Sequence, residues 1–397
     1  MAQEQAQGTT PTPKDAVATN GSSKPPALKA GLEDAVVGVS EICFLDGKRG
    51  ILAYRGYDIH DLVKGSFEEV IYLLIYGKLP NQQELSTFNE KLVESRKLPP
   101  QVIEHLKHLP KNIHPMAALR TLVSEAALFD PQAEDMSREA NIEKGIRMIG
   151  MMPLLVAYYD AARNGREFLK PNDELGHAAN FLYMALGKEQ DAEVVKMFDS
   201  ALTLHADHEL NASTFTARCI AATLSDIYSA VVGAIGALKG PLHGGANEQV
   251  MRMLLRIGNP DQVKEWITDA LARKEKIMGF GHRVYRTEDP RASHLRKFSE
   301  IMGQRTGQTQ WYKMSRTIEQ FILDEKKLYS NVDFYSASTY YLMGIPLDLY
   351  TPIFAMGRTP GWIAHILEQY ANNRIIRPMA EYVGAVDAPW QPVEQRS

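Results

Sequence analysis

The apolar residues of this chain recur mainly at the spacing of a helix. Val250, Met253, Leu254 and Ile257 follow the i, i+3, i+4, i+7 pattern, which places them on one helix face. The same spacing returns in several other segments, and proline or glycine punctuates the gaps between them. Because strands do not alternate with helices, a parallel sheet is not expected. The pattern predicts a large, almost wholly α-helical protein.

The stretch "SEICFLDGKRGILAYRG" (residues 40–56) departs from the helical pattern. It contains two β-prone runs on either side of Asp46-Gly47, a dipeptide that favours a type I′ turn. The sequence therefore predicts one short β-hairpin near the N-terminus.

Composition narrows the classes of protein. The chain has 397 residues, 45% of them hydrophobic, and a formal net charge of −4. The lack of a basic excess argues against nucleic-acid binding, and no apolar run is long enough to span a membrane. Two cysteines exclude a disulfide framework and an all-cysteine metal site, and they fit a cytoplasmic protein. Residues 1–30 lack the apolar segment of a secretory signal and are interpreted as a disordered tail.

Two histidines lie three residues apart in "LTLHADHELNAS" (202–213). On a helix, His205 and His208 would share a face. They are interpreted either as core histidines bonded to the backbone or as a metal-binding pair. The metal interpretation lacks a third ligand, and the spacing is not the i, i+4 pair of a zinc protease helix. No metal site is therefore expected.

His243 lies between a proline turn and two glycines in "GPLHGGANEQV" (240–250). One helix is expected to end near Gly240 and the next to begin near Gly245. The stretch is either a simple turn or a site that presents a neutral imidazole, because the positive end of a helix dipole disfavours protonation. A neutral histidine is a suitable donor to a developing enolate oxygen.

Two further polar stretches complete the candidate chemistry. "GFGHRVYRTEDPRAS" (279–293) contains His282 and three arginines, either as a solvated charge run or as a shaped loop that grips carboxylate or phosphate. "NVDFYSAS" (331–338) places Asp333 among apolar residues, where it is either a buried base of raised pKa or a helix N-cap. Two loop histidines, one isolated carboxylate and several arginines together suit proton abstraction beside a carbonyl of a polyanionic substrate.

The combination resembles the citrate synthase family. The matching stretches occur in the family's order and run from about Gly31 to Tyr382. Each motif is short, but the ordered set is highly specific. The stretches are "YRGYDI" (54–59), "HPMAALR" (114–120), "HADHELNAS" (205–213), "GPLHGGANE" (240–248), "GFGHRVY" (279–285) with "DPR" (289–291), "NVDFYS" (331–336), "GRTPGW" (357–362) and "RPMAEY" (377–382).

The resemblance implies an all-α homodimer that condenses acetyl-CoA with oxaloacetate and hydrolyses citryl-CoA to citrate and CoA. It implies a large domain of residues 31–239 and 346–397, and a small domain of residues 240–345 that closes over the active site. Closure would keep water from cleaving acetyl-CoA before condensation. No cofactor is expected, since acetyl-CoA is a substrate.

The resemblance also implies three catalytic residues. Asp333 matches the residue that takes the methyl proton of acetyl-CoA. His243 matches the residue that hydrogen-bonds the thioester oxygen. His282 matches the residue that polarises and protonates the oxaloacetate carbonyl. A thioester methyl is a very weak acid, so a base and an enolate stabiliser must act together.

The substrate ligands follow from the same resemblance. His208, Arg291, Arg358 and Arg377 match the residues that bind oxaloacetate and citrate, and Arg377 would come from the partner subunit. Arg286 matches a basic residue that contacts the phosphates of CoA. The two carboxylates of oxaloacetate explain the number of arginines.

One departure and three alternatives accompany the resemblance. Met379 stands in "RPMAEY" where relatives often carry a second basic residue. A 2-methylcitrate synthase, which uses propionyl-CoA, shares nearly all the motifs. A catalytically idle relative that serves as a binding protein should have lost a catalytic residue, whereas all three are present. A metal-binding protein built on His205 and His208 is the third alternative.

Overall fold

The computed structural model describes residues 30–32 and 35–396, so the predicted tail lies outside the described residues except for Ala30. The chain divides into two units after Val39. In the first unit, Ala30–Leu32 form one 3₁₀ turn. All the other elements belong to the second unit, which begins at Ser40. The proposed boundaries of a large and a small helical domain stay a prediction.

Helices account for most of the second unit, as the periodicity predicts. The described residues form sixteen α-helices, with 3₁₀ turns between helices at Pro260–Gln262 and Leu347–Leu349 and a further 3₁₀ turn, Val393–Gln395, after the last helix. In chain order the α-helices are α1 (Ile59–Leu62), α2 (Phe67–Tyr76), α3 (Gln82–Glu94), α4 (Pro100–His108), α5 (Pro115–Ala127), α6 (Arg138–Arg163), α7 (His177–Leu186), α8 (Ala192–His205), α9 (Ala212–Ala221), α10 (Ile227–Leu238), α11 (Ala246–Ile257), α12 (Val263–Ala272), α13 (Pro290–Thr306), α14 (Gln310–Lys326), α15 (Val332–Leu342) and α16 (Tyr350–Ala371). In the part of the chain that the structure describes, no helix is long and apolar enough to cross a membrane.

The predicted hairpin is present, but its turn differs from the prediction. Strands β1 (Cys43–Asp46) and β2 (Ile51–Tyr54) pair antiparallel, and β3 (Tyr57–Asp58) adds a third strand beside β2. Asp46 pairs with Ile51, so residues 47–50 form a four-residue loop and the predicted type I′ turn at Asp46-Gly47 is wrong. The Asp46 carboxylate stabilises this longer loop, because it accepts the N–H groups of Lys48 and Arg49 at 3.0 and 2.9 Å.

Helix α16 is the centre of the hydrophobic core. It packs against α2, α6, α8, α9 and α10. Every residue from Tyr350 to Leu367 is buried, including Arg358. A buried guanidinium is costly unless charges or hydrogen bonds compensate it. The fold therefore buries the charged side chain of Arg358, which belongs to the motif "GRTPGW".

Helix caps fix the polar residues that follow them. Asp289 caps α13 by accepting the N–H of Arg291, which places Arg291 in the first turn. Asn331 caps α15 by accepting the N–H of Asp333. The interpretation of Asp333 as the N-cap is therefore wrong, because its neighbour Asn331 holds that position and Asp333 lies inside the first turn.

Candidate active site

The histidines of the predicted site lie in loops at helix ends. Helix α8 ends at His205, and His208 belongs to the loop before α9. The expectation that the two share a helix face is therefore wrong, because the helix ends between them. His243 lies in the turn between α10 and α11, and His282 in the loop before α13. Loops held by rigid helices are a common location for catalytic groups.

His205 is a core histidine. Its side chain is buried, and Nδ1 lies 2.7 Å from the carbonyl oxygen of Ala201, one turn back on α8. Its ring packs edge to face on Phe354, with centroids 4.6 Å apart. Burial lowers the pKa of His205 to about 3. The neutral ring therefore donates from Nδ1 to a backbone carbonyl, as one of the two interpretations proposed.

The rings of His208, His282 and Tyr285 pack together where the α8–α9 loop meets the loop before α13. The centroids of His208 and His282 are 4.9 Å apart, and Tyr285 lies 4.7 Å from His282 and 5.6 Å from His208. His208 and Tyr285 are buried. Within the described residues, His208 Nε2 and the Tyr285 hydroxyl have no hydrogen-bond partner. Buried polar atoms of this kind are normally satisfied, so they mark a place for a polar ligand.

Two buried arginines adjoin these rings. Arg291 binds the Asp289 carboxylate through two bonds, Nε to Oδ1 at 2.9 Å and Nη2 to Oδ2 at 2.7 Å. Arg358 donates from Nε to the carbonyl oxygen of His205 at 2.6 Å, and its guanidinium lies 4.9 Å from the Phe354 ring centroid. Arg358 Nη1 is buried and has no partner among the described residues. The pair therefore offers positive charge to an anion with two acidic groups.

The charges of Arg291 and Arg358 also act on two other residues of the site, His208 and Asp333. Burial lowers the pKa of His208 far below its usual range, and the charges of Arg291 and Arg358 add to this. Asp333 Oδ1 is buried with no partner in the described part of the chain. Burial raises the pKa of Asp333 to about 7, and the same two arginines oppose the rise. A carboxyl with this pKa suits a base that works near neutral pH.

His243 is held in one tautomer by Ser213. The backbone N–H of Ser213 lies 3.3 Å from His243 Nε2, and the Ser213 hydroxyl lies 2.9 Å from the same atom. A backbone N–H only donates, so Nε2 accepts and the neutral ring carries its proton on Nδ1. Burial lowers the pKa of His243 to about 4, with a contribution from Arg358. His243 is therefore neutral mainly because it is buried, whereas the sequence analysis attributed the neutral state to the dipole at the start of α11.

Glycine is required beside His243. A Cβ at Gly244 would lie 2.6 Å from the carbonyl oxygen of Leu238, which also accepts the Gly244 N–H at 2.9 Å. The backbone of the turn therefore packs directly against the end of α10, which leaves no room for a side chain at position 244.

His282 carries its proton on the opposite nitrogen. Its Nδ1 accepts the backbone N–H groups of Val284 and Tyr285 at 3.0 and 3.2 Å. The neutral ring is therefore protonated on Nε2. Burial lowers the pKa of His282 to about 4, and the charge of Arg291 adds to this. Both catalytic candidates are thus neutral imidazoles, and each has one defined N–H to donate.

Two of the predicted site residues, Arg286 and Arg377, lie outside the cluster of buried side chains. Arg286 is exposed in the loop before α13, and Arg377 is exposed in the segment after α16. Among the described residues, no side-chain hydrogen bond or ion pair links either guanidinium to the site. Met379, the departure from the family pattern, is also exposed.

Sequence reasoning missed the residues that hold His243. Ser213 Oγ also accepts the indole N–H of Trp362 at 3.1 Å, which ties α9 to α16 behind the imidazole. Ser213 is part of "HADHELNAS", but 30 positions separate it from His243 and nothing local indicated their contact. Tyr285 was likewise quoted only as part of a motif.

Two other features are separate from the site. Among the described residues, no group of three or more histidine, cysteine, aspartate or glutamate side chains could hold a metal ion. A surface cleft of about 740 Å³ lies where α2, α7 and α8 begin, and none of the predicted site residues lines it. The chemistry therefore centres on the buried cluster and not on this cleft.

The cluster joins a carboxyl of raised pKa, two neutral imidazoles and two buried guanidinium groups. Such a set is typical of enzymes that remove a proton beside a carbonyl group of an anionic substrate. Fold and site together define an all-helical enzyme of this class.

Comparisons with known proteins give the family. The family model "Citrate synthase, C-terminal domain" matches residues 31–379. A citrate synthase of Haloferax volcanii is 52% identical and covers 93% of this chain and 99% of its own length. Citrate synthase 2 of Bacillus subtilis is 51% identical over 92% of this chain and 99% of its own. The chain belongs to the citrate synthase family, and it is an acyltransferase.

Solved structures agree with this assignment. A citrate synthase of Thermoplasma acidophilum, solved with carboxymethyl coenzyme A and oxaloacetate, superposes with a TM-score of 0.88 at 33% identity. The match covers 92% of this chain and 98% of that one. Proteins named 2-methylcitrate synthase are also similar, and one from Mycobacterium tuberculosis is 42% identical over 90% of this chain and 91% of its own. The predicted fold class and family are therefore confirmed.

Proposed function

We propose that this enzyme condenses acetyl-CoA with oxaloacetate and hydrolyses the resulting citryl-CoA to citrate and CoA. The observation that carries the proposal is the convergence of Asp333, His243 and His282 on two buried arginines. The two histidines are neutral with pKa values of about 4, and Asp333, with a pKa of about 7, ionises near neutral pH. The citrate synthases at 45–52% identity favour this reaction over its alternatives.

Enolisation is the first step. The ionised Asp333 carboxylate takes a proton from the methyl group of acetyl-CoA. The Nδ1–H of His243 donates to the thioester oxygen, on which negative charge develops. Because His243 is neutral with a pKa of about 4, it stabilises the enolate without first losing a proton of its own.

Carbon–carbon bond formation follows. The enolate carbon attacks the keto carbon of oxaloacetate, and the Nε2–H of His282 protonates the oxygen that becomes the hydroxyl of citryl-CoA. Because His282 is neutral when it gives up this proton, the proton that Asp333 took from the methyl group must return to Nε2 to restore the imidazole before the next turnover. Water then cleaves the thioester and releases citrate and CoA.

Substrate binding uses the rest of the cluster. Arg291 and Arg358 pair with the carboxylates of oxaloacetate, and the unpartnered Nη1 of Arg358 supplies a donor. His208 Nε2 contributes a further polar contact. The exposed Arg286 is assigned to the phosphates of CoA, where a flexible cation at the mouth of a site is suitable. Closure of residues 240–345 over the substrates would exclude water.

The enzyme is proposed to act as a homodimer. Arg377 is exposed in a segment without helix or strand between Asn373 and Pro392, and most of the large apolar side chains from residue 375 to residue 393 are also exposed. Exposed apolar side chains in such number indicate a surface that a partner covers. Arg377 would then complete the oxaloacetate site of the partner subunit. The exposed apolar side chains are Ile375, Met379, Tyr382, Val383, Val386, Trp390 and Val393.

The alternatives have less support. A metal-binding protein is not supported, because His208 has left the helix and the described residues offer no metal cluster. An idle relative is not supported, because all three catalytic candidates are present and brought together. A cytoplasmic location stays a prediction from the two sparse cysteines.

Acetyl-CoA and propionyl-CoA distinguish the proposed reaction from 2-methylcitrate synthesis. With oxaloacetate as second substrate, we expect kcat/KM to favour acetyl-CoA by roughly 10- to 200-fold, the discrimination that one methylene allows. Steady-state release of CoA measures both reactions. Equal values, or a preference for propionyl-CoA, would contradict the proposal in favour of the relative. No turnover of either would support the idle relative.

Removal of the Ser213 hydroxyl tests how His243 is oriented. In Ser213→Ala, the imidazole keeps the backbone N–H but loses the hydroxyl, so kcat should fall roughly tenfold, the equivalent of one hydrogen bond. Stability should fall by about 1–3 kcal/mol, because the buried Trp362 N–H loses its acceptor. Thr216→Ala is the control, since within the described part of the chain this hydroxyl on α9 bonds only the Ala212 carbonyl. Equal kcat for the two variants would exclude a role in positioning.

A further inference from the structure

The tip of the hairpin, residues 47–50, contacts the loop that carries His282. The backbone N–H of Arg286 donates to the carbonyl oxygen of Gly47 at 2.8 Å. A Cβ at Gly47 would lie 2.1 Å from the carbonyl oxygen of Val284 and 2.7 Å from its carbonyl carbon. Atoms do not approach a backbone this closely, so only glycine allows the observed contact.

The same loop residues hold the His282 ring. Val284 and Tyr285 donate their N–H groups to Nδ1 of His282, which fixes both its orientation and its tautomer. Gly47 touches the loop at Val284 and at Arg286, one on each side of Tyr285. The hairpin tip therefore contacts the Val284–Tyr285 peptide, whose N–H is one of the two that His282 Nδ1 accepts.

The contact continues towards the oxaloacetate arginine. A Cβ at Gly50 would lie 3.0 Å from Thr287 Cγ2 and 3.2 Å from the carbonyl oxygen of Glu288. Glu288 directly precedes Asp289, the cap that binds Arg291. The tip itself is ordered by Asp46, whose carboxylate accepts two backbone N–H groups of the loop. The ordered tip thus lies alongside the catalytic loop and contacts it from Val284 to Glu288.

We propose that the hairpin tip is a positioning element for His282, and that Gly47 is its critical residue. Its role is to hold the loop so that the Nε2–H of His282 points at the keto oxygen. This rests on the proposed function, in which His282 protonates that oxygen. Gly47 and His282 are 235 positions apart in the sequence, so this role depends on the folded structure.

Gly47→Ala tests the proposal. The added methyl group must displace Val284 and the loop, so kcat for condensation should fall roughly 10- to 100-fold, as for a misplacement of about 1 Å. Gly47 is half-buried against this loop, so circular dichroism and the melting temperature must first show that the variant is folded. Gly236→Ala on α10 is the matched control: among the described residues the same change meets only Arg120 Cδ, at 4.0 Å, and should leave kcat unchanged.

A partial reaction separates His282 from the rest of the site. Exchange of the acetyl-CoA methyl hydrogens in deuterium oxide needs Asp333 and His243 but not protonation of a keto oxygen. It is measured by NMR with malate, which lacks the keto group, in place of oxaloacetate. Gly47→Ala should retain most of this exchange while losing condensation. The wild-type condensation rate tests the proposed function separately, because it does not depend on the variant.

Two results would overturn the proposal. Condensation within about twofold of the wild type would show that the tip does not position the loop. Equal loss of exchange and condensation would show that the substitution damages the whole site and not His282. If Gly47→Ala does not fold, Asp46→Ala replaces it: this variant loosens the tip without adding atoms and should show a smaller loss with the same separation of the two reactions.

Discussion

Asp333→Asn should abolish measurable condensation while oxaloacetate still binds. Removal of a general base costs roughly 100- to 10,000-fold in kcat, and an amide cannot take the methyl proton. Arg291 and Arg358 remain in place to bind the dicarboxylate. Steady-state kinetics and calorimetric titration with oxaloacetate measure the two effects. The contrast between lost turnover and retained binding identifies Asp333 as the base.

A matched substitution shows whether the effect is specific. Asp324→Asn makes the same chemical change on the exposed surface of α14 and should leave both turnover and binding unchanged. Near-normal turnover of Asp333→Asn would contradict the assignment. Loss of oxaloacetate binding with turnover would instead make Asp333 a structural residue of the site.

The same variant should gain stability at alkaline pH. Burial raises the folded-state pKa of Asp333 to about 7 from the usual 3.8. The neutral carboxyl is therefore fully favourable below about pH 4, and this contribution is lost as the pH rises through 7. Ionisation of Asp333 therefore lowers the free energy of unfolding above pH 7 by on the order of 4 kcal/mol, compared with its value below pH 4. Thermal unfolding should place Asp333→Asn above the wild type at pH 8 and near it at pH 4.

Helical periodicity predicted the fold class because each helix buries one stripe of apolar residues. It missed β3, whose two residues, Tyr57 and Asp58, are too short for any pattern. It also misplaced the hairpin turn, because the Asp46 side chain bonds two N–H groups and stabilises a longer loop. Local turn preference was therefore outweighed by a specific side-chain interaction.

The sequence indicated which residues form the site but not how they are held. His208, His282 and Asp333 are separated by up to 125 positions, and the motifs alone joined them through the resemblance. The tautomers of His243 and His282 depend on backbone N–H groups that only the folded chain brings to them. Burial, which sets their pKa values, is likewise a property of the packed core and not of the motif.

Mixed dimers provide the strongest test of Arg377. If Arg377 serves the neighbouring site while Asp333 serves its own, Asp333→Asn and Arg377→Leu should both be inactive alone. Arg377→Leu should be inactive because a substrate carboxylate loses its bidentate partner. Co-expression of the two variants with different affinity tags isolates dimers that contain one of each. Their activity should return to about half of the wild-type value, because one of two sites is intact.

This recovery follows from how the lesions are distributed. In a mixed dimer, one site takes the carboxamide of the Asp333→Asn chain and the leucine of the Arg377→Leu chain, so it contains both lesions. The other site takes Asp333 from one chain and Arg377 from the other, so it contains neither. A site built within a single chain gives the opposite result, since every site keeps one lesion and the mixture stays inactive. Verified mixed dimers without activity would therefore contradict a shared site and mean that Arg377 acts within its own subunit or only in assembly of the dimer.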